Sequence, residues 1–298
     1  MDVHTANKAL IAPLRAAMYD FTETGVRTVL DAVMAADAVC HFAHPMGDMT
    51  GPGALYDTCY APLLAAVPDL ERRDYIVMAG PTDQGDHWVG CGGYYTGVFI
   101  APWLDIPPTG HLVHMRFHEF YRIQGGKVVE VQAIWDIPEV MMQARAWPMA
   151  PSLGREWHVP GPATQDGLVP GPFDPAQAAD SCAHIVEMLG YMKKHPSQGG
   201  PDVMQMDRFW HPRMTWYGPS GIGTGRGMGS THLISRGPGS LSIATLPTSA
   251  SIRFWVRPRT LPPSSATCAL MTRSMAANTL SSRPAARSPI CEGADAAS

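Results

Sequence analysis

Residues 112–137 contain two apolar runs joined by a glycine turn, and this stretch constrains the fold more than any other part of the chain. From Leu112 to Ile123, apolar residues occupy nearly all odd positions, whereas His and Arg recur at even positions. This period-two alternation predicts a β-strand with one buried face. The glycine turn at 124–126 and the Val-, Ile- and Trp-rich run at 127–137 predict a second strand paired with the first, followed by a short helix at 139–145.

Glu119 is the one interruption of the apolar strand face. A lone charge is costly to bury, so this carboxylate either points into a pocket or pairs with a buried arginine. The sequence leaves both alternatives open.

Composition narrows the class of protein. A chain of 298 residues with 45% hydrophobic residues has the length of two ordinary domains. The net charge of -4 gives no general basic field for nucleic acid. The six cysteines form no Cys-x-x-Cys pair, which is typical of the reduced cytoplasm. We expect no signal peptide, and no apolar run approaches the roughly 20 residues that a membrane helix needs.

Short motifs in a fixed order carry a family resemblance. They comprise Val67-Pro68-Asp69, Pro108-Thr109-Gly110, Glu119–Arg122, Gly126–Glu130 and Asp136-Ile137-Pro138 followed by Met142-Gln143. Because of these motifs and their order, residues 7–145 resemble the SnoaL-like polyketide cyclase branch of the nuclear-transport-factor-two-like superfamily. The resemblance implies an α+β cone, in which a curved mixed sheet wraps around helices and encloses an apolar pocket. It also implies a reaction without cofactor and a homodimer formed through the sheet.

The resemblance assigns a catalytic role to Asp136. In SnoaL-like cyclases an aspartate at the end of the last strand removes a proton from a carbon beside a carbonyl, and an intramolecular aldol condensation closes a ring. Asp136 matches that position, and burial would make it a stronger base. Glu119 would be the second catalytic carboxylate, sharing a proton with Asp136. The alternative is that Asp136 only caps the helix that follows it.

The substrate expected for such a site is a small hydrophobic carbonyl compound. Gln132 would orient its carbonyl group. The pocket lining is predicted to consist of apolar and aromatic side chains, namely Met115, Phe117, Tyr121, Trp135 and Met49.

Two rival sites have weaker support. His114 and His118 share a strand face, and His41 and His44 lie on an earlier strand, but such spacing is a weak metal signal and we predict no metal. The glycines of residues 218–227 are not followed by Lys-Ser/Thr, so they indicate a turn and not a phosphate loop.

The remainder of the chain suggests an incomplete repeat. We predict a cone domain at 1–146, a Pro- and Gly-rich linker at 147–175, a truncated second copy at 176–228 and a disordered tail at 229–298. The second copy begins with a predicted helix at 176–194, and residues 206–218 resemble the first strand region at 36–42.

The tail at 229–298 has the composition of an out-of-frame product. It contains no Lys, and no Asp or Glu occurs between Asp207 and Glu292. Translating residues 282–292 in a shifted frame permits a string close to residues 107–116. We therefore hypothesise a frameshift near Met228, the alternative being a natural low-complexity tail.

Three functional hypotheses follow. The first is an acid/base cyclase, isomerase or lyase that uses Asp136. The second is a non-catalytic module that binds a hydrophobic ligand or forms dimers, with Asp136 structural. The third is an inactive frameshifted product.

Overall fold

Two capped helices open the chain. In the computed structural model, α1 (Val3–Tyr19) begins where the Asp2 carboxylate accepts hydrogen bonds from the backbone N–H groups of His4 and Thr5, each at 3.0 Å. The second helix, α2 (Glu23–Val33), begins at Thr22, whose hydroxyl accepts the Gly25 N–H. The structure describes residues 2–82, 85–147, 158, 160–161, 168, 174–195, 197–210, 215–221 and 223–226.

A six-stranded curved sheet packs against these helices. Its strands are β1 (Met34–Phe42), β2 (Asp48–Thr50), β3 (Glu71–Pro81), β4 (His87–Val98), β5 (Leu112–Gln124) and β6 (Lys127–Trp135). Their order across the sheet is β2-β1-β6-β5-β4-β3. The β1 and β6 strands are parallel and all other neighbours are antiparallel. The expected mixed α+β class is therefore confirmed.

Short helices close one end of the sheet and lead out of it. Residues 51–66 form a continuous helical segment of α3 (Gly51–Leu55), a π-helical turn (Tyr56–Tyr60) and α4 (Ala61–Ala66). The predicted hairpin is confirmed, with Phe117 of β5 opposite Trp135 of β6. Directly after β6, α5 (Ile137–Gln143) provides the predicted short helix.

The prediction of one buried face on β5 was wrong, because both faces are covered. We call the face that carries Phe117 and Glu119 and packs against the helices the inner face. The opposite, outer face carries Arg116 and His118, which are only 1% and 2% exposed. Residues from the C-terminal part of the chain pack over the part of this outer face that carries Arg116 and Tyr94.

Close approach of strands requires a glycine at position 93. A Cβ atom there would lie 2.2 Å from the backbone oxygen of Arg73 on β3 and 2.8 Å from the Phe117 ring on β5. Only a residue without a side chain fits, and the sheet can curve tightly at this point.

The C-terminal part begins with α6 (Pro175–Met192), close to the predicted helix at 176–194. Two short 3₁₀ turns (Pro201–Met204 and Met206–Arg208) and a two-stranded pair, β7 (Thr215–Trp216) with β8 (Gly225–Arg226), follow. Most of the predicted linker and the whole of the predicted tail at 229–298 lie outside the described residues. Among the described helices, none combines the length and the apolar character needed to cross a bilayer.

Candidate functional site

A buried carboxylate lies at the centre of the inner face. Glu119 is 0% exposed and accepts hydrogen bonds from the Tyr95 hydroxyl (2.9 Å), the Tyr121 hydroxyl (2.5 Å) and the indole Nε1–H of Trp135 (2.9 Å). An Arg72 amino group donates a further bond at 2.5 Å. The arrangement satisfies the carboxylate fully and selects the second of the two predicted alternatives, pairing with a buried arginine.

Arg72 links Glu119 to a second acid. Its guanidinium also donates to Asp74, at 3.1 to 3.3 Å, and Arg15 on α1 donates to the same carboxylate at 2.9 Å. Burial disfavours the charge on Arg72, but Asp74 and Glu119 outweigh it and hold the pKa of Arg72 well above its ordinary value. The result is a chain of alternating charges that runs from the surface to the middle of the domain.

The tyrosines around Glu119 remain neutral donors. Burial, reinforced by the charge of Glu119, raises the pKa of Tyr95 well above its ordinary value. Burial likewise raises the pKa of Tyr121, against the opposing effect of Arg72. Both hydroxyls therefore keep their protons and donate to the carboxylate at neutral pH.

The inner cavity itself is almost filled. A volume of about 10 Å³ remains between aliphatic and aromatic side chains, which is about the space of one water molecule. Met115 and Tyr95 contribute to its lining, and Trp103 closes it from the loop between β4 and β5. Trp103 and Ile106 exchange backbone hydrogen bonds at 3.2 and 2.8 Å, which forms a tight turn over the cavity. The space enclosed by the sheet and the helices at this point is therefore almost completely packed.

Asp136 lies on the other side of the sheet. Its Oδ2 atom accepts the backbone N–H of Ser220 at 3.2 Å, and its charge acts on His114 and Arg116 of the outer face. Asp136 as a whole residue is 8% exposed, against 0% for Glu119. The neighbouring Trp135 points the opposite way, towards Glu119, as alternation along a strand requires.

The two predicted carboxylates therefore do not share a site. Glu119 lies inside the cone and Asp136 lies under residues 218–220 on the outer face. The alternative role of Asp136 as a helix cap is not seen either, because its side chain makes no capping hydrogen bond to the backbone of α5.

The other predicted site residues divide between the two faces. Phe117, Tyr121 and Trp135 surround the Arg72–Glu119 pair, with the Arg72 guanidinium 4.2 Å from the centre of the Phe117 ring. Met49 lies on β2, with its sulfur 3.8 Å from that of Cys59. Gln132 donates to Glu130 at 2.7 Å on β6.

Arg116 organises the surroundings of Asp136. Its guanidinium donates to the Gly218 carbonyl (3.0 Å), the Thr224 hydroxyl (3.3 Å) and the Tyr94 hydroxyl (3.3 Å). Glu139 of α5 accepts the Arg116 backbone N–H at 2.7 Å and lies 3.6 Å from its guanidinium. Burial disfavours this charge, but Tyr94 and Glu139 more than offset it and raise the pKa of Arg116.

His114 stands beside this cation as a neutral imidazole. Burial, together with His158 and Arg116, lowers the pKa of His114 to about 4. Its ring lies 5.5 Å from that of His158 and nearly parallel to it. Asp136, Arg116 and His114 together place a carboxylate, a fixed positive charge and a neutral donor or acceptor within one region.

The depressed pKa of His114 predicts a stability change with pH. Above about pH 6.5 the imidazole is neutral in both states, but on acidification the unfolded chain binds a proton that the folded chain does not. Between about pH 6.5 and pH 4 the folded state should lose up to about 2 kcal/mol from this group. Urea unfolding of His114→Gln should show a smaller acid loss than wild type. Replacement of the exposed His111 by Gln is the matched control, and equal slopes in all three proteins would contradict the prediction.

No metal centre is indicated in the part of the chain that the structure describes. There, no three His, Cys, Asp or Glu side chains converge closely enough to hold an ion. His41 instead lies 2.8 Å from Asp48 on the neighbouring strand.

Sequence reasoning missed Arg72, Arg116 and Ser220. Arg72 lies within the charged run Glu71-Arg72-Arg73-Asp74, which has the composition of a surface turn. The alternation along β5 places Arg116 on the strand face that is predicted to be exposed. Ser220 lies about a hundred residues from its partner, and no local pattern connects the two.

Comparisons with known proteins found one family model and several solved structures that are similar to this chain. The SnoaL-like polyketide cyclase family model matches residues 12–144. A candidate SnoaL-like polyketide cyclase from Jannaschia sp. CCS1 is 23% identical, with 50% of this chain and 97% of that chain covered and a TM-score of 0.41. AclR, a candidate hydroxylase from Streptomyces galilaeus, is 20% identical over 50% and 90% of the two chains, with a TM-score of 0.41.

IdmH, a candidate polyketide cyclase from Streptomyces antibioticus, is 21% identical over 48% of this chain and 99% of that chain, with a TM-score of 0.39. No curated protein matches the chain. By the family model, residues 12–144 are a SnoaL-like polyketide cyclase domain.

Proposed function

We propose that the SnoaL-like domain is a cofactor-free acid/base catalyst for a hydrophobic carbonyl compound, with Asp136 as the base. The contrast between the two carboxylates carries this proposal. Glu119 is 0% exposed and has four donors, whereas Asp136 is 8% exposed and lies in the region of Arg116 and the neutral His114.

The chemistry assigned to these groups is proton transfer at a carbon beside a carbonyl. Asp136 would remove the proton, and the enolate oxygen that develops would be stabilised by the positive charge of Arg116. His114, which carries one N–H when neutral, would donate a hydrogen bond to the same oxygen. Ring closure by aldol addition, isomerisation and elimination all begin with this step, so the reaction class stays broad.

Replacing Asp136 by Asn tests the assignment. The amide cannot accept the proton, so turnover should fall by about a hundredfold or more, while binding changes little because the shape is preserved. The assay is exchange of the α-hydrogens of 2-tetralone with deuterated water, followed by ¹H NMR. Binding of the same compound is measured by saturation-transfer NMR. Asp37→Asn, at an exposed aspartate, is the matched control.

A non-catalytic binding or dimerisation module is the second candidate, and the inner cavity of about 10 Å³ favours its dimerisation form over its ligand-binding form. A ligand larger than a water molecule would enter this cavity only if the Trp103 turn moved. Equal exchange rates for wild type and Asp136→Asn, with binding retained, would favour this candidate over the enzyme. A homodimer through the sheet stays a prediction, and it requires displacement of the residues that cover Arg116.

A further inference from the structure

We propose that a segment of the second repeat completes the Asp136 site, and that the backbone N–H of Ser220 is the positioning group for its carboxylate. The segment, residues 217–221 and 223–224, is called the covering segment below. The inference rests on the proposed role of Asp136, and it adds that the first domain alone does not contain the whole site.

The covering segment is anchored on both sides of Ser220. On one side, the Gly218 carbonyl accepts a hydrogen bond from Arg116 at 3.0 Å. On the other, the Thr224 hydroxyl lies 3.3 Å from the same guanidinium. These two contacts to one buried cation hold the described part of the segment on both sides of Ser220. The N–H of Ser220 is thereby directed at Asp136 Oδ2.

Aromatic stacking adds a third anchor. The Tyr217 ring lies 5.4 Å from that of Tyr75, with an angle of 13° between the planes. Its hydroxyl donates to the Pro160 carbonyl at 2.9 Å. Tyr75, Ile76, Met78, Tyr94 and Tyr217 form a separate apolar cluster on the outer face. The covering segment therefore packs against the outer face through an aromatic contact as well as through hydrogen bonds.

The contact with Ser220 restricts how Asp136 can act. A hydrogen bond from an N–H group to a carboxylate is among the stronger ones and fixes its orientation. Orientation of the base is a large part of what a proton-transfer site supplies.

The covering segment has a counterpart in the first domain. The turn after β1 and the covering segment share three residue types at one constant spacing, which pairs Pro45 with Pro219, Gly47 with Gly221 and Thr50 with Thr224. The two paired glycines both adopt left-handed backbone conformations, with φ of 73° and 90°. The group that reaches Asp136 thus comes from a segment that repeats the residue pattern of the turn after β1.

The hydrogen bond can be tested without any substrate. In the ¹⁵N-labelled full chain, the Ser220 amide resonance should move when the pH is lowered. It should move in the same way in Ser220→Ala, which keeps the N–H, and should stay still in Asp136→Asn. A resonance that moves equally in Asp136→Asn overturns the inference.

Detaching the covering segment tests its role in turnover. Tyr217→Ala removes the stacking on Tyr75 and leaves residue 220 unchanged, so exchange of the Ser220 amide with solvent should accelerate at least about tenfold. The kcat for 2-tetralone exchange should fall about tenfold with KM within about twofold, because orientation and not binding is lost. Faster amide exchange with unchanged kcat overturns the positioning role. If wild type shows no turnover at all, the amide titration still decides whether the contact exists.

Discussion

Replacing Arg72 by methionine should lower the free energy of unfolding by about 3–5 kcal/mol, the range seen when one partner of a buried ion pair is removed. Methionine retains most of the side-chain length but leaves Glu119 as a buried charge, held only by its neutral donors. Asp74 loses a partner in the same step. Urea unfolding followed by tryptophan fluorescence measures the loss.

Two further variants separate charge burial from general damage. Arg73→Met, at the next residue, breaks an exposed pair with Glu71 and should cost less than about 1 kcal/mol. The double variant Arg72→Met with Glu119→Leu removes both charges, so it should be less destabilised than the sum of the single changes. Additive losses would show that the two side chains do not depend on each other.

Trp135→Ala should cost about 3–5 kcal/mol, because it removes a large buried side chain from a close-packed region. The Trp135 ring contacts those of Phe42, Tyr60 and Tyr95 at centroid distances of 5.4, 5.6 and 5.2 Å. Its indole N–H also serves Glu119, so truncation removes a donor from the carboxylate as well. Chemical denaturation monitored by far-UV circular dichroism gives the value.

Trp135→Phe divides that cost into its two parts. Phenylalanine keeps much of the ring packing but cannot donate to Glu119, so we expect a loss of about 1–2 kcal/mol. A loss as large as that of Trp135→Ala would mean that the hydrogen bond and not the packing dominates at this position.

The hairpin and its surroundings could be predicted because their signals are local. The alternation from Leu112 to Ile123 fixed the strand and the inward direction of Glu119, and the glycines at 125 and 126 fixed the turn. These features depend on neighbours a few residues apart. Backbone geometry alone converts them into a strand pair.

The side on which Asp136 lies could also have been predicted. Trp135 and Asp136 are adjacent, and adjacent residues at the end of a strand point to opposite faces. A tryptophan in the inner pocket therefore excludes the next residue from it. The family resemblance predicts both residues in one pocket, although adjacent residues of a strand point to opposite faces.

The partners of the two buried arginines could not be predicted from local pattern. Arg72 meets Glu119 across 47 positions in sequence, and Arg116 meets Gly218 across 102. Charge content alone favours a solvated surface at both sites. Only the order of strands in the sheet, and the return of the chain over its outer face, bring these groups together.

Gly218 and Thr224 also decide how much of the chain makes one stable folding unit. A fragment that ends at residue 146 has every strand of the sheet, yet it strips a buried guanidinium of two acceptors and uncovers the tyrosines at 75 and 94. The family match ends at residue 144, but the contacts that satisfy Arg116 extend to residue 224. We therefore expect the buried Arg116 to keep these two acceptors only when the chain continues to residue 224.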